Sequence, residues 1–245
     1  MAVPPLGCGN GGLRWSEVRL LIEEYVGDLE GVEVQLYEPT ARYQNVVKRH
    51  GVEKLTPARA LVAELIRRYS ALGIECSLLE VQKLAYFLSR SLRALGLDDP
   101  LRLDFTANRY GPYADPLRHL LDALDGSYLH CDRRISDATP SDAIHFDHSR
   151  KPLVKAYLQI EAAAYLPAIR RTSEVVEGFE SPLGMELLAT VDWLLTHEHR
   201  EPTLQALREG VDSWHDNAGD RKQRLFDDRM LGLALKRLTD PACSA

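Results

Sequence analysis

The feature that most restricts how this chain can fold stands at its start. Gly7, Cys8, Gly9, Asn10, Gly11 and Gly12 put four glycines in six positions, between a short apolar run (residues 1–6) and an amphipathic segment (15–29). Glycine reaches positive φ at little cost and lets the backbone approach a ligand closely, so the run reads as a turn from a strand into a helix. In the segment that follows, Val18, Leu21, Ile22, Tyr25 and Val26 recur at helical spacing, with Glu17, Glu23 and Glu24 off that stripe. Residues 32–37 then alternate apolar and polar, which predicts a strand that Pro39 stops. Strand, turn, helix and strand make the crossover block of an α/β sheet. Two strands and one helix do not hold a core alone, so residues 1–40 are expected to be the end of a larger domain.

The turn has chemistry as well as shape. A strand entering a helix through glycines leaves backbone N–H groups unpaired at the positive end of the helix dipole, where phosphate oxygens are attracted. The alternative is a tight β–α turn that uses glycine for geometry only. No Lys-Ser/Thr pair follows, as a P-loop needs, and no acid stands at the spacing of a Rossmann site. Cys8 lies where a helix N-terminus lowers a thiol pKa, but no histidine pairs with it in the sequence, and it is read as a small loop residue.

Residues 41–55 are a polar, basic connector, and residues 56–245 a second, mainly helical domain. Thr56-Pro57 is a helix start, with Thr as N-cap and Pro in the first turn. The helix over residues 57–72 stops at Gly73. Ser77 and Glu80 form a capping box for the next helix, whose apolar face carries Leu78, Val81, Leu84, Ala85, Leu88 and Leu92. A strand is expected over residues 101–105, a loop over 106–113, and a short helix from Asp115 to about residue 124. Residues 127–152 read as irregular with one or two short strands. Helices follow over 153–178 (interrupted near Pro167), 182–197, 202–212 and 226–238. The fold class is thus α+β.

Charge narrows the function. The net charge of −6 argues against a protein whose main task is gripping a nucleic-acid backbone, and an acidic chain can bind a basic protein. None of the four cysteines has the spacing of a zinc site, no signal peptide is evident, and no stretch is apolar enough to span a membrane. The expectation is a cytoplasmic protein with reduced thiols. His145 and His148, with Asp147 between them, have ligand-like spacing, but loop histidines are usually unliganded, and no metal site or cofactor is assigned. His197 and His199 at a helix end read as charge favourable to the C-terminal dipole. Trp193 and Trp214 read as core, and Arg221, Lys222 and Arg224 as a solvated face in preference to a nucleic-acid contact.

Residues 4–15 (Pro-Pro-Leu-Gly-Cys-Gly-Asn-Gly-Gly-Leu-x-Trp) resemble the substrate loop of macrodomains, closest to the DarG-type DNA ADP-ribosyl glycohydrolases, antitoxins of DarT toxins. The resemblance continues through Glu17 to Arg19 and the strand ending at Pro39. It implies that Gly7, Cys8, Gly9, Asn10, Gly11, Gly12 and Leu13 hold ADP-ribose as ligand or product. It also implies an α/β/α macrodomain of which residues 1–40 are the C-terminal β-α-β part, and a family activity that removes ADP-ribose from thymidine in single-stranded DNA. The family's adenine-binding acid, distal-ribose asparagine and catalytic lysine belong upstream of the loop, so no catalytic residue is assigned here. A truncated gene or a late start is expected, and with it no competent glycohydrolase.

Residues 56–245 resemble the C-terminal region of the same antitoxins and the wider SocA-like, or Panacea, domain. Gln82-Lys83-Leu84-x-Tyr86-Phe87 on a helix and Tyr110-Gly111-Pro112-Tyr113 in a loop carry that likeness. It implies direct binding of a DarT-like ADP-ribosyltransferase toxin, with Asn108, Arg109, Tyr110 and Tyr113 as candidate contacts. On the residues alone, the loop reads as one that locks the helices together in preference to an interaction surface. The rival readings are an ADP-ribose reader or protein-binding module without catalysis, and a winged-helix-like DNA-binding regulator, which the acidic balance disfavours.

Overall fold

The computed structural model describes residues 2–3, 13, 15–27, 31–37, 54–71, 73, 75–215 and 218–240. The chain divides into two compact units, Met1–Arg49 and His50–Ala245.

In the first unit, β1 (Ala2–Val3) runs parallel to β2 (Gln35–Leu36), with α1 (Trp15–Val26) between them in sequence. Ala2 stands opposite Gln35 and Val3 opposite Leu36, and the Tyr37 N–H donates to the Val3 carbonyl at 3.1 Å. A parallel pair needs such a crossover. Val18 and Ile22 of α1 close a small core on Val3, with Trp15, Val26, Val34 and Leu36 around it. Only part of the helix's apolar stripe is covered: Leu21 and Tyr25, adjoining the buried column, remain 55% and 74% exposed.

The second unit is built on helix signals that act as the sequence suggests. The Thr56 hydroxyl accepts from the Arg59 N–H at 3.4 Å and Pro57 opens α2 (Pro57–Ser70), while Gly73 takes the left-handed conformation, φ 77°, beyond its end. The capping box of α3 (Leu78–Ala94) is complete, since the Ser77 N–H donates to Glu80 at 2.7 Å and the Glu80 N–H to the Ser77 hydroxyl at 3.4 Å. This cap is buried, and the Tyr69 hydroxyl of α2 also donates to the Glu80 carboxylate, tying the two helices together.

The segment after α3 departs from expectation. No strand forms over residues 101–105. The Leu101 N–H turns back to Asp99 at 2.9 Å and Arg102 has φ 48°, so the chain bends where a ladder would have to run straight. Phe105 is held by side-chain packing, edge-on to Tyr86 at 5.3 Å. Pairing begins one residue later, in what reads as a loop: β3 (Thr106–Asn108) and β4 (Gly111–Tyr113) form an antiparallel hairpin around Arg109-Tyr110, with Gly111 at φ 93°. The sequence offers this hairpin its positive-φ glycine, but its strands are too short for alternation to reveal them.

Then come α4 (Leu117–Leu124), a short antiparallel pair β5 (Leu129–His130) and β6 (His145–Phe146), and α5 (Lys151–Ile160). A break at 163–165 precedes α6 (Leu166–Val176). Next are α7 (Pro182–Thr196), α8 (Leu204–Asp212), α9 (Gly219–Leu225) and α10 (Asp228–Thr239). Residues 185–194 of α7 are buried on all sides, the mark of a central helix. It lies against α3, α8, α10 and β4. No described helix is long and apolar enough to cross a membrane.

Candidate functional site

The two motifs that carry the helical unit's family likeness meet in space. Helix α3 presents Gln82 and Lys83 to the hairpin backbone. The Gln82 side-chain amide donates to the Ala114 carbonyl at 3.0 Å and accepts from the Ala114 N–H at 3.1 Å, while Lys83 Nζ donates to the Pro112 carbonyl at 2.7 Å. Trp214 Nε1 donates to the Asn108 carbonyl at 2.9 Å. Three side chains therefore satisfy backbone groups that a two-stranded ribbon would leave to water. Gly111 sits where nothing larger fits well, because a Cβ there would stand 3.3 Å from Thr190 Oγ1 and 3.5 Å from Lys83 Cε.

Below the hairpin lies a buried ionic cluster. Glu186 of α7 accepts from Lys222 Nζ at 2.8 Å and from Arg221 at 2.6 and 3.1 Å, and Lys222 also donates to Thr190 Oγ1 at 3.0 Å. Lys222 has no exposed surface. Its ammonium lies 4.9 Å from the Trp214 ring centroid and 5.3 Å from that of Phe226, so the aromatic faces add favourable electrostatics. The reading of Arg221, Lys222 and Arg224 as a solvated face is corrected for Lys222. The side chain turns inward because α9 lies against α8, and a glutamate on α7 receives it. Trp193 and Trp214 are core, as expected.

Burial sets the protonation of this cluster. It pulls Lys83 down to about 7, with repulsion from Lys222 adding to the effect and Glu186 opposing it. Burial likewise lowers Lys222 to about 8 against the pull of Glu186. Burial alone would raise Glu186, but the Arg221 hydrogen bond and the Lys222 charge outweigh it and hold the carboxyl below its ordinary value.

The outward side of the hairpin is aromatic and cationic. Arg221 lies over the Tyr110 ring at 4.8 Å and Arg109 at 5.6 Å. The Tyr113 hydroxyl donates to Asp115 at 2.9 Å and accepts from Arg118 at 3.1 Å. Asn108 closes the turn, its side-chain oxygen accepting from the Arg109 N–H at 2.6 Å. Between α3 and α7 the Tyr86 hydroxyl and Arg90 both donate to Asp192, at 2.6 Å and at 3.0 and 3.2 Å. Tyr86 belongs to the helix motif of the family likeness, but sequence reasoning gave Arg90 and Asp192 no role, and a helical period carries no sign that Tyr86 and Asp192 would face each other.

Gly7, Cys8, Gly9, Asn10, Gly11 and Gly12 lie outside the described residues, and Leu13 is exposed. Described elements flank them, since β1 ends at Val3 and α1 begins at Trp15. His145 and His148 are exposed, and no group of three metal-ligating side chains converges among the described residues. His197 stacks on Trp193 at 3.8 Å, and burial lowers its pKa, so it is not the dipole-compensating cation its position suggests.

No family model matches the chain. Among curated proteins, the DNA ADP-ribosyl glycohydrolases of Mycobacterium bovis and Mycobacterium tuberculosis are each 34% identical over 256 aligned residues, covering 97% of this chain and 68% of theirs. The chain belongs to the DNA ADP-ribosyl glycohydrolase family. The protein of that name from Thermus aquaticus is 43% identical over 203 residues, covering 81% of this chain. The chain spans 53% of that relative's length.

Proposed function

We propose that this chain acts in a DarT/DarG-like toxin–antitoxin pair. Its helical unit sequesters a DarT-like ADP-ribosyltransferase, and Gly7 to Leu13 form the ADP-ribose loop of a glycohydrolase that clears ADP-ribose from thymidine in single-stranded DNA. The observation that carries the reading is the identity of 34–43% to proteins named DNA ADP-ribosyl glycohydrolase, extending over most of the chain. The first unit supports the ligand assignment through its connectivity. A parallel strand pair with a crossover helix sets residues 4–12 between a strand end and a helix start, where N–H groups and the helix dipole favour a diphosphate. The second unit supports protein binding through its hairpin. Tyr110, Tyr113 and Arg109 are residue types that dominate interface energies, held on a braced backbone.

Two experiments on the full chain test the reading. Co-expression with a DarT-like ADP-ribosyltransferase should restore growth and yield a complex on co-purification; growth arrest with no complex sinks the sequestration role. Incubation with an ADP-ribosylated thymidine oligonucleotide, with calorimetry against free ADP-ribose, tests the loop. A complex with the toxin but neither binding nor release of ADP-ribose would leave a purely protein-binding module.

A further inference from the structure

The hairpin does not lie flat on the start of α3. A crevice of about 30 Å³ opens between them, lined among others by Leu79, Asn108, Tyr110, Tyr113, Arg118 and Lys83. Lys83 is the most chemically loaded of these, 1% exposed and lining the opening from within. A protonated lysine offers three N–H donors, and Lys83 has one acceptor, the Pro112 carbonyl. Arg118 spends its guanidinium on the Ser136 and Ala138 carbonyls and the Tyr113 hydroxyl, and Arg109 on the Tyr110 face. Among the described residues none of these three basic groups has a carboxylate within ion-pair distance. The chain has 36 acidic against 30 basic residues, so carboxylates are in excess. Two guanidinium groups without a carboxylate partner and a buried amine that can take up a proton therefore surround one opening, with Asp115 held by the Tyr113 hydroxyl.

We propose that this crevice receives a carboxylate side chain from an acidic segment of the partner protein, with Lys83 at its inner end, Arg118 in its wall and Arg109 beside its mouth. The inference rests on the reading that the helical unit binds a protein. Shape favours the carboxylate: the opening is small, about 30 Å³, and a carboxylate at the end of a flexible side chain is smaller than a phosphodiester fixed within a strand. Binding a nucleic-acid strand would also call for a run of cations along a track, whereas Arg221, the next cation along, is already paired with Glu186. Tyr110 and Tyr113 supply the flanking aromatic contact, and the pre-formed hairpin lowers the ordering cost of binding.

A carboxylate beside Lys83 has a consequence that mere surface contact lacks. The groups acting on Lys83 are Lys222 of α9 and Glu186 of α7, with Arg221 bonded to that same Glu186. A new negative charge adds to the pull of Glu186 and favours the ammonium, so the complex takes up a proton at pH 7.5, where unbound Lys83, near 7, is largely neutral. The test is titration calorimetry of the full chain with a DarT-like ADP-ribosyltransferase in two buffers of different ionisation enthalpy. The wild type should bind with proton uptake. Lys83→Met should bind without that uptake, Arg109→Glu should bind at least tenfold more weakly, and Arg109→Lys should bind near wild type. Arg109 is exposed and outside the braces, so Arg109→Glu reports even where Lys83→Met unfolds, which circular dichroism would show. If the wild type binds and Arg109→Glu binds equally well, the crevice proposal fails while the sequestration reading stands. If the wild type does not bind the toxin, both fail. If Arg109→Glu loses binding to a single-stranded oligonucleotide but keeps the toxin, the surface reads nucleic acid and the proposal is overturned.

Discussion

Replacing Glu186 by Gln tests whether the buried cluster beneath the hairpin is held by charge. Gln keeps the volume and one acceptor oxygen, but loses the negative charge and the second oxygen that accepts from Arg221 at 3.1 Å, and it leaves Lys222 buried without a counter-charge while Arg221 stays partly exposed. Removing one partner of a buried ion pair costs about 3–5 kcal/mol. Relief is available, because Lys222 already sits near 8 and sheds its proton more readily once Glu186 is neutral. At pH 7 that places the expected loss at the lower end, about 3 kcal/mol, or roughly 6–12 °C in melting temperature for a unit of this size. The sign of the pH dependence follows from linkage. With its folded pKa pushed further below the unfolded value, Lys222 binds fewer protons in the native than in the unfolded state, so the variant regains stability as pH rises. Urea unfolding at pH 7 and pH 9, read by circular dichroism and by the fluorescence of Trp193 and Trp214, should show the gap to wild type narrowing at the higher pH. Adding Lys222→Met should recover much of the loss, because a buried pair is replaceable by apolar groups at low cost. A loss under about 1 kcal/mol at pH 7, or an equal loss at both pH values, would refute the reasoning.

Lys83→Met should flatten the rise of stability with pH between 7 and 8.5. The wild-type lysine, near 7 when folded, binds fewer protons than the unfolded chain there and contributes up to about 1.4 kcal/mol per pH unit. The window stops below the range in which burial of the Cys76 thiol, which raises its pKa, works in the opposite direction; equal slopes in variant and wild type count against the buried-amine reading. Gly111→Ala, at φ 93° and close to Thr190, should destabilise by about 1–3 kcal/mol in denaturant titrations, and a neutral result would mean that the hairpin relaxes freely. Tyr25→Lys, on the uncovered flank of α1, should change stability by less than about 0.5 kcal/mol in the chain alone. A large loss there would show that the flank is covered in solution.

The elements that could be read in advance are those whose signals are local. Thr56 with Pro57, and Ser77 with Glu80, each name a helix start within four residues, and both helices begin where these signals put them. The strand–helix–strand order of residues 2–36 was equally legible, because periods of 3.6 and 2 follow each other without interruption. What escaped was decided at long range. Leu101, Leu103 and Phe105 alternate like a strand, but alternation supplies no partner, and pairing went to the next three residues, which Gly111 could fold back upon. Lys222 looked solvated in a stretch with Arg221 and Arg224, because its acceptor Glu186 lies 36 positions away. The hairpin was named as a candidate contact, but nothing in its sequence tells that Gln82, Lys83 and Trp214 would brace its backbone.

That bracing bears on the two readings the hairpin's sequence left open, a structural lock and a binding surface. The braces engage backbone atoms: the carbonyls of Asn108, Pro112 and Ala114 and the N–H of Ala114. The side chains of Arg109, Tyr110 and Tyr113 take no part in those bonds. Structural duty is therefore carried mainly by the main chain, with Tyr113 adding its bonds to Asp115 and Arg118, while the Arg109 side chain is exposed. Alanine at Lys83, Gln82 or Trp214 should loosen the hairpin whatever binds it, whereas alanine at Arg109 should leave the unfolding transition unmoved. If the hairpin binds a partner, substitutions at exposed Arg109 would change preference without eroding the fold, whereas Tyr110 under Arg221 and Tyr113 between Asp115 and Arg118 would change both.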